Sequence, residues 1–471
     1  MSKAVNFVRT NSDIILAVII GAYLRANIIL RDEMWFDEAY VGIITRLSKS
    51  SFVRELLVDA HPPLYNVINK AWSLFFGTSE ISLRFMPLIF GIATILVAYK
   101  LAEKMGNKQT AAMAAFLVAI NPFLVGYSIE ARSYSLYGLV TLVTAYFLIS
   151  KKYRLFLAGT VAMIQTHYMS SAFLIMLFPY FFFTLHKEKK LGRFLPASAL
   201  ALSIIALTLV VAALVQGSNL NLHWIRESSF LNIPRSFIAY TYGVQVKATG
   251  SDAINRVKLF ALNEFSLGGI FFALFIIGAS YTLYKFKRNS GKIEQLIFLL
   301  ALILIPQLFL ILLGYFTKYS IYVERYLTPA AIFFSISVAF ILTSIEKFEI
   351  TGLIILFYAI TLLRIQPPDY VKGMKHLAST YQGAGREMVF ISPIDYVVAR
   401  YYFGETNENL RLQNLKNPKE TFWHWPLIKK NIIPQKLKNA LIVSTDESKI
   451  PSGYRKISEV GSYKIYTASY N

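Results

Sequence analysis

Residues 293–316 read IEQLIFLLALILIPQLFLILLGYF, and this run decides the fold class. A helix needs roughly 20 apolar residues to cross the hydrocarbon core of a bilayer, with about 17 as a lower bound, and this run supplies them. Ten further runs follow the pattern, at approximately 13–30, 81–99, 109–126, 134–150, 155–166, 168–185, 194–216, 262–284, 327–343 and 349–364. The pair flanking His167 and the last run are short for the task. The sequence therefore predicts an α-helical polytopic membrane protein with about eleven transmembrane helices.

Composition agrees. The chain has 471 residues, of which 55% are hydrophobic and 16% charged, with a mean hydropathy of +0.48; a water-soluble chain of this length cannot hide that much apolar surface. The formal net charge of +21 would suggest nucleic acid in a soluble protein. Here, however, Lys and Arg gather in short clusters between apolar runs, which marks membrane topology and argues against a nucleic-acid partner. There is no Cys, which excludes disulfides, thiolate metal sites and thiol nucleophiles. The chemistry is left to Asp, Glu, His, Arg and Tyr. Residues 1–11 carry Lys3 and Arg9, and the apolar run behind them lacks a small-residue cleavage pattern. That run is expected to be a retained first span.

The clusters set the orientation, because cytoplasmic loops hold the excess of Lys and Arg. With the N-terminus inside, the cytoplasmic connections carry Lys100, Lys104 and Lys108; Lys151, Lys152 and Arg154; Lys187, Lys189, Lys190 and Arg193; Lys285, Lys287, Arg288 and Lys292; and Lys347. The opposite connections, 31–80, 127–133, the turn at His167, 217–261 and 317–326, are acidic, aromatic or His-bearing. An odd number of spans then places 365–471 outside. There the composition becomes that of a soluble segment, with strands expected at 388–392 and 440–444, a helix at 395–402 and a hairpin-like pair around Gly461. The expected organisation is a transmembrane domain over 1–364 and a small C-terminal extracytoplasmic α/β domain over 365–471. No convincing internal repeat is visible, which weighs against inverted-repeat transporters.

The first outer connection holds Trp35-Phe36-Asp37-Glu38-Ala39 and Asp59-Ala60-His61-Pro62-Pro63-Leu64-Tyr65. Paired carboxylates at the exit of a span suit general base catalysis or cation binding; solvation of a loop is the plainer alternative. The two prolines after His61 rigidify a turn that presents an imidazole, able to orient a carboxylate, bind a metal or contact a phosphate. A second turn contains Glu130 and Arg132, two residues apart, which are costly near lipid without partners. They should face the protein interior or an aqueous cavity. Further candidates are His167, Arg325 and Tyr326; a guanidinium at a helix end can clamp a phosphate through two parallel hydrogen bonds. Arg25, near the outer end of the first run, is expected to snorkel outward.

In order, WFDEA at 35–39, HPPLY at 61–65, GTSEISLRFMP at 77–87, NPF at 121–123, YSIEARSYSL at 127–136 and THY at 166–168 resemble the GT-C class of membrane glycosyltransferases. The resemblance is to the branch of protein O-mannosyltransferases and lipid A aminoarabinose transferases. It implies an inverting enzyme that moves a sugar from a polyprenyl phosphate to an acceptor hydroxyl on a protein, lipid or glycan outside the cytoplasm. By resemblance, Asp37 is the base, with Glu38 supporting it or helping to bind a cation. Arg132 and Glu130 hold and orient the donor phosphate, and His61 and His167 line the site. Arg325 is assigned to the phosphate mainly on chemical grounds. Arginine or a divalent metal ion would stabilise the departing phosphate; the sequence does not choose between them. The competing readings are a transporter or lipid flippase, and an inactive scaffold of the same fold.

Overall fold

The computed structural model describes residues 11–29, 33–216, 225, 227–243, 264–317, 319–345, 349, 352–353, 356, 373–382, 385–404, 407, 409–413, 432–433, 440–450 and 453–468. Residues 1–10, Lys347, most of the run 349–364, most of the connection 217–261 and the expected domain boundary at 364/365 fall outside the described residues.

The helices are, in chain order, α1 (Ser12–Ile28), α2 (Phe36–Arg46), α3 (Lys49–Val58), α4 (Leu64–Phe76), α5 (Glu80–Met105), α6 (Lys108–Ile120), α7 (Pro122–Tyr127), α8 (Tyr134–Ile149), α9 (Tyr153–Thr166), α10 (Ser170–Lys187), α11 (Leu191–Gln216), α12 (Asn232–Tyr242), α13 (Glu264–Lys285), α14 (Ser290–Thr317), α15 (Thr328–Ile345), α16 (Met374–Tyr381) and α17 (Pro393–Phe403). Among the described residues, the apolar runs before residue 345 fall largely on these helices. Five helical stretches among the described residues are long and apolar enough to cross a membrane: Glu80–Met105, Leu191–Val215, Gly268–Lys285, Ser290–Thr317 and Glu324–Ile345. Lys108–Ile120 and Tyr134–Ile149 are shorter apolar helices. The protein is thus a multi-pass membrane protein.

The chain forms two compact units: Met1–Ile28 with Pro87–Val211 and Leu222–Gln366, and Ile29–Met86 with Ala212–Asn221 and Pro367–Asn471. In the first unit, α15 is the central helix and packs against α6, α8 and α14. Small side chains make this possible. Ala111, Ala114, Ala115 and Ala119 of α6 are fully buried, and with no bulk to separate the backbones α1 and α15 both pack against it.

The run 109–126 is not one helix. Pro122 has no N–H to continue the ladder, and the chain breaks between α6 and α7. Asn121 repairs the junction: its Oδ1 accepts from Leu124 N at 3.1 Å, and its Nδ2 donates to Tyr240 O and Ser335 Oγ. The same break explains why Arg25 does not snorkel outward. Its guanidinium is 1% exposed and donates through Nη1 to Gly21 O at 3.0 Å and to Ala119 O at 2.9 Å. Ala119 lies in the last turn of α6, where carbonyls lack helical donors and a cation is favoured by the helix dipole. Capping that end holds Arg25 inside the bundle.

The second unit contains a six-stranded sheet built from β1 (Met388–Phe390), β2 (Leu410–Gln413), β3 (Ile432–Ile433), β4 (Leu441–Ser444), β5 (Tyr454–Val460) and β6 (Tyr463–Ala468), in the order β3-β2-β1-β4-β6-β5. β1 runs parallel to β2 and β4, while β6 is antiparallel to β4 and closes a hairpin with β5. β1 and β4 are buried along their whole length, as central strands are. α17 begins at the Ser392 cap and Pro393, and it packs on α2. Arg46 donates to Tyr401 O at 3.0 Å and stacks over its ring, Met34 N donates to Tyr402 Oη at 2.8 Å, and Glu33 Oε2 accepts from Gly373 N and Met374 N. The first long connection and the chain's final hundred or so residues thus share one unit.

Candidate active site

Asp37 and Glu38 occupy the first turn of α2, where unsatisfied backbone N–H groups favour negative charge. Their environments differ. Asp37 is half-buried, whereas Glu38 is 2% exposed and gripped by Arg84, with Nε to Oε1 at 2.8 Å and Nη2 to Oε2 at 2.6 Å. Arg84 also donates to Ile29 O and Glu33 O. Glu38 is therefore a structural anion whose two oxygens are engaged, and Asp37 is the carboxylate of the pair better suited to accept a proton. In the sequence Arg84 stood within the GTSEISLRFMP stretch at 77–87, with no role assigned to it.

The His61-Pro62-Pro63 turn leads into α4 and is organised by Asp59. The buried Asp59 carboxylate accepts from His61 N at 3.2 Å and from Asn66 Nδ2 at 2.8 Å. His61 is half-buried beside it. One helical turn earlier lies Glu55, also buried, whose carboxyl is raised to about 7 by burial and by the Asp59 charge, against the lowering influence of Arg54. Composition gave no sign of this titratable group. Among the described residues no three His, Asp or Glu side chains gather as a metal-binding group.

The first unit holds the cationic candidates. Glu130 and Arg132 lie in the turn between α7 and α8, 7% and 6% exposed. His167 closes α9 and is buried; its ring stacks on Tyr137 at 4.8 Å and 15°, with Tyr326 at 5.1 Å and Tyr134 at 5.9 Å. Arg325, in the 3₁₀ turn Glu324–Leu327 that precedes α15, lies 5.8 Å from the rings of both Tyr134 and Tyr326. Burial, then the charges of Arg132 and Arg325, lower the His167 imidazole to about 3. The imidazole is consequently neutral at physiological pH. Its Nδ1 accepts from Met169 N at 3.2 Å, so the ring proton resides on Nε2.

Three elements distant in sequence thus bring Arg132, His167, Arg325 and Tyr326 together. Two guanidiniums near one neutral imidazole, flanked by tyrosines, form a cationic cluster whose chemistry suits an anion such as phosphate. Tyr137 read in the sequence as an ordinary apolar-helix residue, yet with Tyr134 it flanks the His167 ring.

Residues 60–214 match the family model described as dolichyl-phosphate-mannose-protein mannosyltransferase. No curated protein sequence matches the chain. Among solved structures, the fold is similar to ArnT from Cupriavidus metallidurans in the apo state, at 12% identity and a TM-score of 0.50, covering 99% of this chain and 98% of that one. The same protein bound to undecaprenyl phosphate aligns at 11% identity and 0.50, over 97% and 98%. The Archaeoglobus fulgidus oligosaccharyltransferase in the apo form aligns at 14% identity and 0.51, over 92% of this chain and 69% of that one. The resemblance carried by the WFDEA, HPPLY and YSIEARSYSL motifs is thus matched by fold: the chain is similar to the GT-C class of membrane glycosyltransferases, on the side of the O-mannosyltransferases and ArnT.

Proposed function

We propose that the protein is an inverting glycosyltransferase that moves a sugar from a polyprenyl phosphate to an acceptor hydroxyl on the non-cytoplasmic side of the membrane. The observation that carries this reading is the cluster of Arg132 and Arg325 around neutral His167, in a fold shared with a protein whose structure holds undecaprenyl phosphate. A lipid-linked donor needs such an anion site on a membrane-embedded scaffold.

In the proposed reaction the acceptor oxygen attacks the anomeric carbon and the bond from that carbon to the phosphate oxygen breaks. Asp37 takes the hydroxyl proton, acting as general base. The electron pair of the broken bond leaves on the phosphate oxygen, where Arg132 and Arg325 stabilise the growing negative charge. Glu130 orients Arg132. Arg84 holds Glu38 in place next to Asp37.

The test is incubation of the purified protein in liposomes with labelled polyprenyl-phosphate sugars and an acceptor mixture, followed by detection of released polyprenyl phosphate. Turnover with the lipid-linked donor and none with the matching nucleotide sugar is the expected result. Efficient use of the nucleotide sugar would overturn the donor assignment, and transbilayer movement of the intact donor without cleavage would favour a flippase.

A further inference from the structure

We propose that His167 is a fixed Nε2–H hydrogen-bond donor in an anion site shared with Arg132 and Arg325, holding a phosphate oxygen, and that it is neither a general acid nor a general base. This deepens the reading above, since a phosphate group is the ligand that reading requires.

The tautomer follows from local backbone geometry. His167 ends α9, and the turn that follows points the amide of Met169 at Nδ1. A neutral imidazole with Nδ1 accepting carries its proton on Nε2 and can only donate there. The ring is also held against rotation. Tyr137 stacks on it nearly parallel, Tyr326 and Tyr134 flank it, and the side chain is 2% exposed.

The electrostatics agree with a role that needs no titration. The charged groups acting on the ring are Arg132 from the α7–α8 turn and Arg325 from the turn before α15, and both disfavour imidazolium. The other titratable groups packed against it are the phenols of Tyr134, Tyr137 and Tyr326. A third cation between two arginines would repel them, whereas a neutral donor adds a hydrogen bond without that penalty. The proposed leaving group needs no acid either. A phosphate monoester has a second pKa near about 6, so it departs from the sugar without being protonated.

The same chemistry would be met by free phosphate or by a lipid phosphate headgroup, and the experiment separates them. Binding of inorganic phosphate and of a short-chain polyprenyl phosphate is measured in detergent for the wild type, His167→Gln, His167→Asn and His167→Phe. Gln can place an amide N–H near the Nε2 position, whereas Asn restores only the acceptor facing Met169. His167→Gln should bind the polyprenyl phosphate within about 3-fold of wild type, while His167→Phe and His167→Asn should each lose about 10-fold or more. The pH dependence of affinity should be the same in the wild type and His167→Gln, set by ionisation of the phosphate ligand alone. Equal binding by His167→Phe would overturn the proposal, as would a break near pH 6.5 that vanishes in His167→Gln. If inorganic phosphate follows this pattern and the polyprenyl phosphate is not bound, the role of His167 stands and the lipid-linked donor falls. Binding of neither ligand sinks both.

Discussion

Arg84 holds both carboxylate oxygens of Glu38 while Asp37, the residue before it, lies half-buried at the same helix N-terminus. Two adjacent acids are thereby given different work by one guanidinium. Removing one partner of a buried, hydrogen-bonded ion pair strands the other charge and costs about 3–5 kcal/mol. Glu38→Ala is therefore expected to lower the thermal stability of the purified protein markedly. An unchanged unfolding temperature would show that Arg84 finds another anion.

Asp37→Asn is expected to keep the fold and donor affinity but cut turnover by about 10²–10⁴-fold, the contribution of a positioned general base. Single-turnover rates and donor binding in the same detergent give both quantities. Near-normal turnover would remove Asp37 as the base.

Arg132→Ala should weaken donor binding as well as rate, because a charge-assisted contact to phosphate is present in both ground and transition states. Donor titration of the variant measures the loss. Unchanged affinity would leave Arg325 as the principal phosphate ligand.

Glu55 predicts a pH dependence of stability. Its folded carboxyl is raised to about 7, above the ordinary carboxylate value, first by burial. Between the two values the folded state binds more protons than the unfolded one, so stability falls as pH rises from about 4.5 to about 7 and remains lowered above that. Glu55→Gln removes the cost of ionisation. It should stabilise the protein at pH 8 by about 1–3 kcal/mol relative to wild type, with little difference at pH 4.5. Denaturation curves at the two pH values decide, and equal effects at both would place the cause elsewhere.

Gly91 faces Ser128 and Arg25 so closely that a Cβ would overlap Ser128 Oγ and lie 2.9 Å from Arg25 Nε. Gly91→Ala should destabilise the first unit by about 1–3 kcal/mol through overpacking. It should also disturb the turn that carries Arg132, which follows Ser128. A thermal shift paired with a donor titration reads both effects.

The sequence by itself determined the class of the protein and the identities of its chemical groups. Apolar runs of bilayer length, alternating basic clusters and the motifs at 35–39, 61–65 and 127–136 are local, and local periodicity and charge need no partner to be read. It also marked the strands around 388 and 441, because short β-branched runs announce themselves. Tertiary structure decided what each ionisable group is paired with. Arg25 looked like an interfacial anchor and instead caps the end of a helix at Ala119, 94 residues later, since a carbonyl freed there attracts a donor that sequence distance conceals. Glu38 read as a supporting or cation-binding partner of Asp37, and Arg84, 46 residues away, engages both its oxygens instead. His167 read only as a residue lining the site; its neutrality comes from burial and then from two distant arginines, and its tautomer from one backbone amide. Charge and hydrogen bonding act through space, and in a bundle of long helices the residues that set a site's protonation lie one or more spans apart along the chain.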